Sequence, residues 1–129
     1  MPRAKQLTVT VPDRPGMLGE VAAALGDKKV NINGMTAAAM QGGGMIWIVV
    51  DKTAAAKKVL AQNGWPATED EVLAVTLSNT PGSLGRFATK LGKAGVNITF
   101  AYTGSAGSAR KLTGYFGVSD LKAALKVRP

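Results

Sequence analysis

Leu7-Thr8-Val9-Thr10-Val11-Pro12-Asp13-Arg14-Pro15-Gly16-Met17-Leu18-Gly19 returns 66 residues later as Leu73-Ala74-Val75-Thr76-Leu77-Ser78-Asn79-Thr80-Pro81-Gly82-Ser83-Leu84-Gly85. In both stretches three apolar residues alternate with small or polar ones, the period-two pattern of a strand with one buried face. The same offset carries Leu25-Gly26 onto Leu91-Gly92 and Val30-Asn31-Ile32 onto Val96-Asn97-Ile98. Identity at Pro, Gly, Leu, Gly, Leu, Gly, Val, Asn and Ile under one fixed offset defines two copies of one supersecondary unit.

Outward from these stretches, each copy reads the same way. Prolines and glycines end the strand, and Asp13 or Asn79 suits the N-terminal flank of a helix. Helices are expected to run to about Asp27 and Lys93, with stripes Leu18, Val21, Ala22, Leu25 and Leu84, Phe87, Ala88, Leu91. Gly26, Gly92 and Gly95 suit the helix stops. Second strands begin near Val30 and Val96. Gly-rich turns follow, Gln41-Gly42-Gly43-Gly44 in copy one and Gly104-Ser105-Ala106-Gly107-Ser108 in copy two. Third strands are expected over 45–50 and 111–118. Second helices are expected over 53–62 and 119–126, with Thr53 and Ser119 as N-caps.

The order β-α-β-β-α-β predicts an α+β fold: two tandem ferredoxin-like (βαββαβ) units, each an antiparallel sheet with its helices on one face. The expected division is 1–70 and 71–129. Residues 65–71 serve as a fourth strand for copy one and as the link into copy two. Copy two ends at Lys126-Val127-Arg128-Pro129 and therefore lacks a fourth strand of its own. Its first strand would show an open edge, to be paired by strand exchange within the chain or by a second molecule. Met45-Ile46-Trp47-Ile48-Val49-Val50 is apolar at both parities, so its second face should meet the other copy or another subunit, which predicts a homo-oligomer.

Composition narrows the chemistry. Of 129 residues, 46% are hydrophobic and 19% charged, as in a globular chain. Neither Cys nor His occurs, which removes disulfides, thiolate and imidazole metal sites and His-dependent nucleophiles. Three of the eight carboxylates are the contiguous Glu69, Asp70 and Glu71. A binder is expected rather than an enzyme, with no catalytic residue, metal or cofactor. No apolar run suits a membrane span or a signal peptide, and a cytoplasmic location is the expectation.

The strand–Asp/Asn-x-Pro-Gly-x-Leu–helix–Val-Asn-Ile pattern resembles the ACT domain, the amino-acid-sensing regulatory module. The resemblance covers nearly the whole chain as two tandem copies with no attached catalytic domain. It implies a small-molecule ligand, an amino acid, held at an interface between ACT units. In the family the ligand is gripped by the loop from first strand to first helix and by polar residues near the start of the second strand. Residue by residue this implies Asp13, Gly16 and Asn31 in copy one, and Asn79, Gly82 and Asn97 in copy two. A glycine lets a ligand approach the backbone, helix-mouth N–H groups favour a carboxylate, and an Asn amide both donates and accepts. Asp13 repels a carboxylate but attracts an ammonium, so the copy-two loop is expected to be the better carboxylate site. Caps and turns alone are the competing account of these residues.

Sixteen Lys and Arg against eight Asp and Glu give a net charge of +8. Each half carries eight basic and four acidic groups, residues 1–66 and 67–129 alike. The densest cluster, Arg86, Lys90 and Lys93, faces outward on one helix, where copy one has Glu20, Ala24 and Asp27. Complementary helix faces explain this more simply than nucleic acid. Tyr115 and Phe116 point to opposite faces of one strand, Phe100 and Tyr102 lie on another, and no stretch reads as an RNP1 octamer. Gln41-Gly42-Gly43-Gly44 lacks the Gly-Lys-Ser/Thr of a phosphate loop. The favoured reading is a regulatory protein sensing an amino acid. The alternatives are a nucleic-acid binder, a structural oligomer, and a regulatory subunit of a partner enzyme in amino-acid biosynthesis.

Overall fold

The computed structural model describes residues 2–104, 107 and 109–129. The chain order is β1 (Arg3–Val11), α1 (Met17–Asp27), β2 (Ile32–Met40), β3 (Gly43–Val50), α2 (Thr53–Gln62), β4 (Ala67–Ser78), α3 (Ser83–Lys93), β5 (Ile98–Gly104), β6 (Lys111–Val118) and α4 (Leu121–Ala124). It is the α+β, ferredoxin-like pattern read from the sequence. Part of the second Gly-rich turn, Ser105, Ala106 and Ser108, lies outside the described residues.

Two compact units emerge, Lys5–Asp70 and Met1–Ala4 with Glu71–Pro129. In the first, β3 pairs antiparallel with both β1 and β2. The start of β4 flanks the other edge of β1, where the Thr10 N–H donates to the Pro66 carbonyl at 2.9 Å. In the second, β6 pairs antiparallel with both β4 and β5. The Ala74 N–H donates to the Pro2 carbonyl at 3.1 Å. Residues 1–4, expected with 1–70, thus group with the second unit. The edge of its first strand, expected to be paired by strand exchange within the chain or by a second molecule, takes residues near the N-terminus of this same chain as its partner. The reason is the demand of a strand edge for hydrogen-bond partners. The 66-residue offset carries residues 1–4 onto 67–70, so the same repeat positions lie beside the first strand of each unit.

Each core lies between sheet and helices. In the first unit Leu7, Val9 and Val11 meet Met17, Val21, Leu25, Ile46, Ile48, Ala56, Val59 and Leu60. In the second Leu73, Val75 and Leu77 meet Phe87, Leu91, Val96, Phe116 and Ala124. Phe87 and Phe116 pack edge to face at 5.6 Å. The helix stripe differs from the expected one. Met17 is buried, whereas Leu18 and Leu84 are 44% and 43% exposed. Helix α1 begins at Met17, and the buried line follows 17, 21 and 25 at i, i+4, i+8. One residue further round, Leu18 leaves the core.

Two caps also differ. Helix α2 starts from Lys52 with no side-chain cap, and Thr53 is its first residue. Helix α4 is four residues long, not eight, and is capped by Asp120, whose carboxylate accepts from the Ala123 N–H at 3.0 Å. Ser119 is occupied elsewhere, its hydroxyl accepting from the Asn97 N–H at 2.9 Å.

Candidate functional site

The loop joining β1 to α1 contains Pro12, Asp13, Arg14, Pro15 and Gly16. Gly16 closes it at φ 86°, a left-handed conformation that favours glycine, and serves as the helix N-cap. No side chain caps α1. The first-turn N–H groups are therefore not claimed by a capping side chain. Beside this loop lies a cavity of about 300 Å³, lined by Val11, Asp13, Arg14, Gly16, Met17 and Leu18, by Ala37, Ala38 and Ala39 of β2, and by Gly44, Met45 and Ile46 of β3. Exposed Leu18, which left the core, is part of its wall.

Charge at the mouth is arranged by Arg14. Its guanidinium donates twice to Glu20, at 2.6 and 3.1 Å. This hydrogen bonding holds the Glu20 carboxyl below the ordinary carboxylate range and raises Arg14. Asp13 is exposed and close by in the chain. The site thus offers a carboxylate, a helix mouth with its positive dipole end, and apolar walls. Arg14 and the β2 alanines were not singled out in the sequence. Arg14 was legible only as part of the loop, and Ala37, Ala38 and Ala39 reach the cavity through the β2–β3 pairing.

Asn31 stands elsewhere. It precedes β2, at the end where Ile32 pairs with Val50, while the cavity lies where Ala39 pairs with Gly44 and Gly44 with Val11. At about 3.3 Å per residue, roughly 20 Å of strand separates them. Its N–H donates to Asp51 Oδ1 and its amide nitrogen to Asn33 Oδ1, both at 2.9 Å. Asn97 occupies the matching end of β5, ahead of the Ile98–Val118 pair. Both sheets carry a register slip just beyond this Asn, between Ile32 and Gly34 and between Ile98 and Phe100.

The copy-two loop has a different local environment. Asn79 is half-buried, its amide nitrogen donating to the Ala109 carbonyl at 2.8 Å and its N–H to the Arg110 carbonyl at 2.9 Å. It ties the loop to the hairpin instead of capping α3. Gly82, at φ 85°, is the N-cap, and a Cβ placed there would stand 2.7 Å from Arg86 Nη1. The guanidinium thus lies over this turn. A groove of about 480 Å³ continues along Gly82, Gly85, Arg86, Thr89, Lys90 and Lys93. Among the described residues no cluster of three or more Asp or Glu is arranged to hold a metal ion. No described helix is long and apolar enough to cross a membrane.

The family model of the ACT domain matches residues 5–62. That segment is an ACT domain. The ACT domain lies within the Lys5–Asp70 unit and carries the β1–α1 loop and its cavity. Among solved structures, a protein from Bacteroides thetaiotaomicron shares the fold with a TM-score of 0.88 at 22% identity, over 97% of this chain and 85% of that one. The ligand-free regulatory subunit of aspartate kinase from Thermus thermophilus shares it at 0.64 and 16% identity, over 88% and 82%. The corresponding subunit from Thermus flavus gives 0.65 and 17%, over 98% and 90%. No curated protein sequence matches the chain significantly.

Proposed function

We propose that this is a non-catalytic regulatory protein of two tandem ACT units that binds an amino acid at an interface between ACT units. The observation that carries the reading is the cavity at the β1–α1 loop, where a carboxylate and a helix mouth flank apolar walls. Its volume, about 300 Å³, is at the small end for ligand sites and suits a metabolite of amino-acid size. Asp13 takes the ammonium, the N–H groups of Leu18 and Gly19 take the carboxylate, the Met17 N–H being bonded to the Arg14 carbonyl, and Met17, Ala38 and Ile46 favour an uncharged side chain. Copy one is the primary site, the reverse of the order expected from the loop sequences. The Asn79 amide is bonded to Ala109, and Arg86 lies over Gly82. Ligand binding would stabilise one arrangement of units, which a partner enzyme reads. The fold shared with aspartate kinase regulatory subunits is in keeping with a partner in amino-acid biosynthesis.

A thermal-shift screen against the common amino acids tests this. A ligand at 100 times its dissociation constant adds about 2.7 kcal/mol, several degrees in melting point. One or a few uncharged amino acids should raise the melting point, and Asp13→Ala should abolish the shift. No response to any amino acid, or an unchanged response in Asp13→Ala, overturns the reading.

A further inference from the structure

Three aromatic rings lie together on the helix-free face of the Glu71–Pro129 unit, and the regulatory reading uses none of them. Phe100 and Tyr102 of β5 have centroids 6.4 Å apart with planes 11° from parallel. Tyr102 and Tyr115 of β6 are 5.2 Å apart at 29°. Their strand neighbour Phe116 points the other way, into the core. All three rings are half-buried, so part of each reaches solvent. Phe100 is seated over Gly117, where a Cβ would collide with the ring. That glycine keeps the ring low against the sheet.

The surroundings indicate what such a surface holds. Tyr115 pairs with Ala74 on one side and Tyr102 on the other, and Thr113 with Thr76. No Asp or Glu occurs in β5 or β6, Arg110 and Lys111 stand at the hairpin end, and the chain carries +8. In the ACT domain the equivalent cross-strand pair is Thr36 with Trp47, so the ladder belongs to one unit alone. Flat, uncharged π-faces with cations at their margin suit flat rings strung on an anionic backbone. We propose that this face is a stacking platform for the bases of a single-stranded nucleic acid. Stacking tolerates any base and needs no hydrogen-bond readout, which accords with a face otherwise made of Thr and Ala. The platform is separate from the β1–α1 cavity and stands independently of the amino-acid reading.

Fluorescence anisotropy with labelled oligothymidylate and oligouridylate tests it, beside an abasic phosphodiester of equal length. The intact chain should bind both oligomers and bind the abasic strand about tenfold more weakly. Tyr102→Leu and Tyr115→Leu should each weaken binding about tenfold, while Tyr115→Phe stays within about twofold because the ring is kept. Equal affinity for the abasic strand would reduce the effect to charge and overturn the proposal. So would absence of binding, or Leu variants binding as the intact chain does. The abasic comparison uses the unmodified protein and decides even where a Leu variant folds poorly. Sedimentation supplies the opposing outcome: a dimer of the intact chain that Tyr115→Leu dissolves would make this face a contact between copies. The amino-acid thermal shift should persist in Tyr115→Phe, so failure of one reading leaves the other standing.

Discussion

Asn31 and Asp51 hold each other twice. The Asn31 N–H donates to Asp51 Oδ1 at 2.9 Å, and the Asp51 N–H donates to the Asn31 carbonyl at 3.1 Å. Asn97 and Ser119 repeat the arrangement, with the Ser119 hydroxyl in place of the carboxylate and the Ser119 N–H returning to the Asn97 carbonyl at 2.9 Å. The clasp fastens the start of the second strand to the end of the third. Asp51→Ala should cost about 1 kcal/mol in denaturant unfolding, and Asp51→Ser should recover much of it, since copy two already uses a hydroxyl. Equal losses in both variants would show that the side-chain oxygen contributes little.

Lys29 and Gly95 occupy the same repeat position, three residues beyond Gly26 and Gly92. Both are left-handed, Lys29 at φ 62° and Gly95 at φ 78°. The helix-end bonds match too: Val30 N–H to Leu25 at 3.0 Å, Val96 N–H to Leu91 at 2.9 Å. A side chain is strained in this conformation and glycine is not. Lys29→Gly should therefore stabilise the protein by up to about 1 kcal/mol, with a gain in melting temperature. A fall in stability would mean that the Lys52 ammonium bond to the Lys29 carbonyl, 3.0 Å, depends on this side chain's packing.

Residues 2–4 lie along the first strand of the second unit. The Ala74–Pro2 bond and the exposed Arg3–Glu71 pair at 3.4 Å are their attachments. The ion pair itself contributes at most about 1 kcal/mol. Deleting residues 1–4 should expose the Ala74 amide and speed its hydrogen exchange by at least about tenfold, leaving amides of Leu25 and Leu60 protected. Unchanged exchange at Ala74 would remove the edge role.

Glu20 reports on the loop. Its folded-state pKa is lowered by hydrogen bonding to Arg14. A depressed carboxyl contributes stability above its unfolded pKa, and that contribution is lost as pH falls through the folded value. A carbon-detected NMR titration should place Glu20 below 4.5, the ordinary value. Arg14→Ala should return it there and flatten the acid limb of the stability profile.

The tyrosines report at the alkaline end. Burial raises Tyr102 first of all, with Tyr115 adding to it, and burial raises Tyr115. A raised group stabilises the fold below its unfolded pKa, near 10, and that stability fades as pH rises through the folded value. Absorbance titration should show both phenols ionising above 10, and unfolding free energy falling across the same range. Ionisation of both near 10 would mean the rings are more open than the packing indicates.

Much of this was legible along the chain. The period-two stretches became β1 and β4, and the interrupting Pro-Gly pairs became left-handed N-caps, because these preferences are local and repeat themselves. Leu18 is exposed against expectation because it sits about 100° round the helix from Met17, and the buried line runs through Met17, Val21 and Leu25. Thr53 and Ser119 were read as caps on residue type alone, yet a cap depends on which neighbouring backbone groups lack partners. At the candidate site the loop residues Asp13 and Gly16 could be named, but the walls from β2 and β3 depend on strand register. Asn31 and Asn97 followed their strands to the far end of each sheet.

The sequence by itself determined the repeat, the order of elements and the strand residues that fill each core, since alternation, helical spacing and turn chemistry act over a few neighbours. Only the tertiary structure decided that residues 2–4 lie along the first strand of the second unit, that Ala39 stands beside Gly44 and Gly44 beside Val11, and that three aromatic rings share one face. Those facts come from pairing between segments far apart in the chain. Their partners are chosen by unsatisfied backbone groups and by apolar faces that must be covered together, and no local preference encodes them.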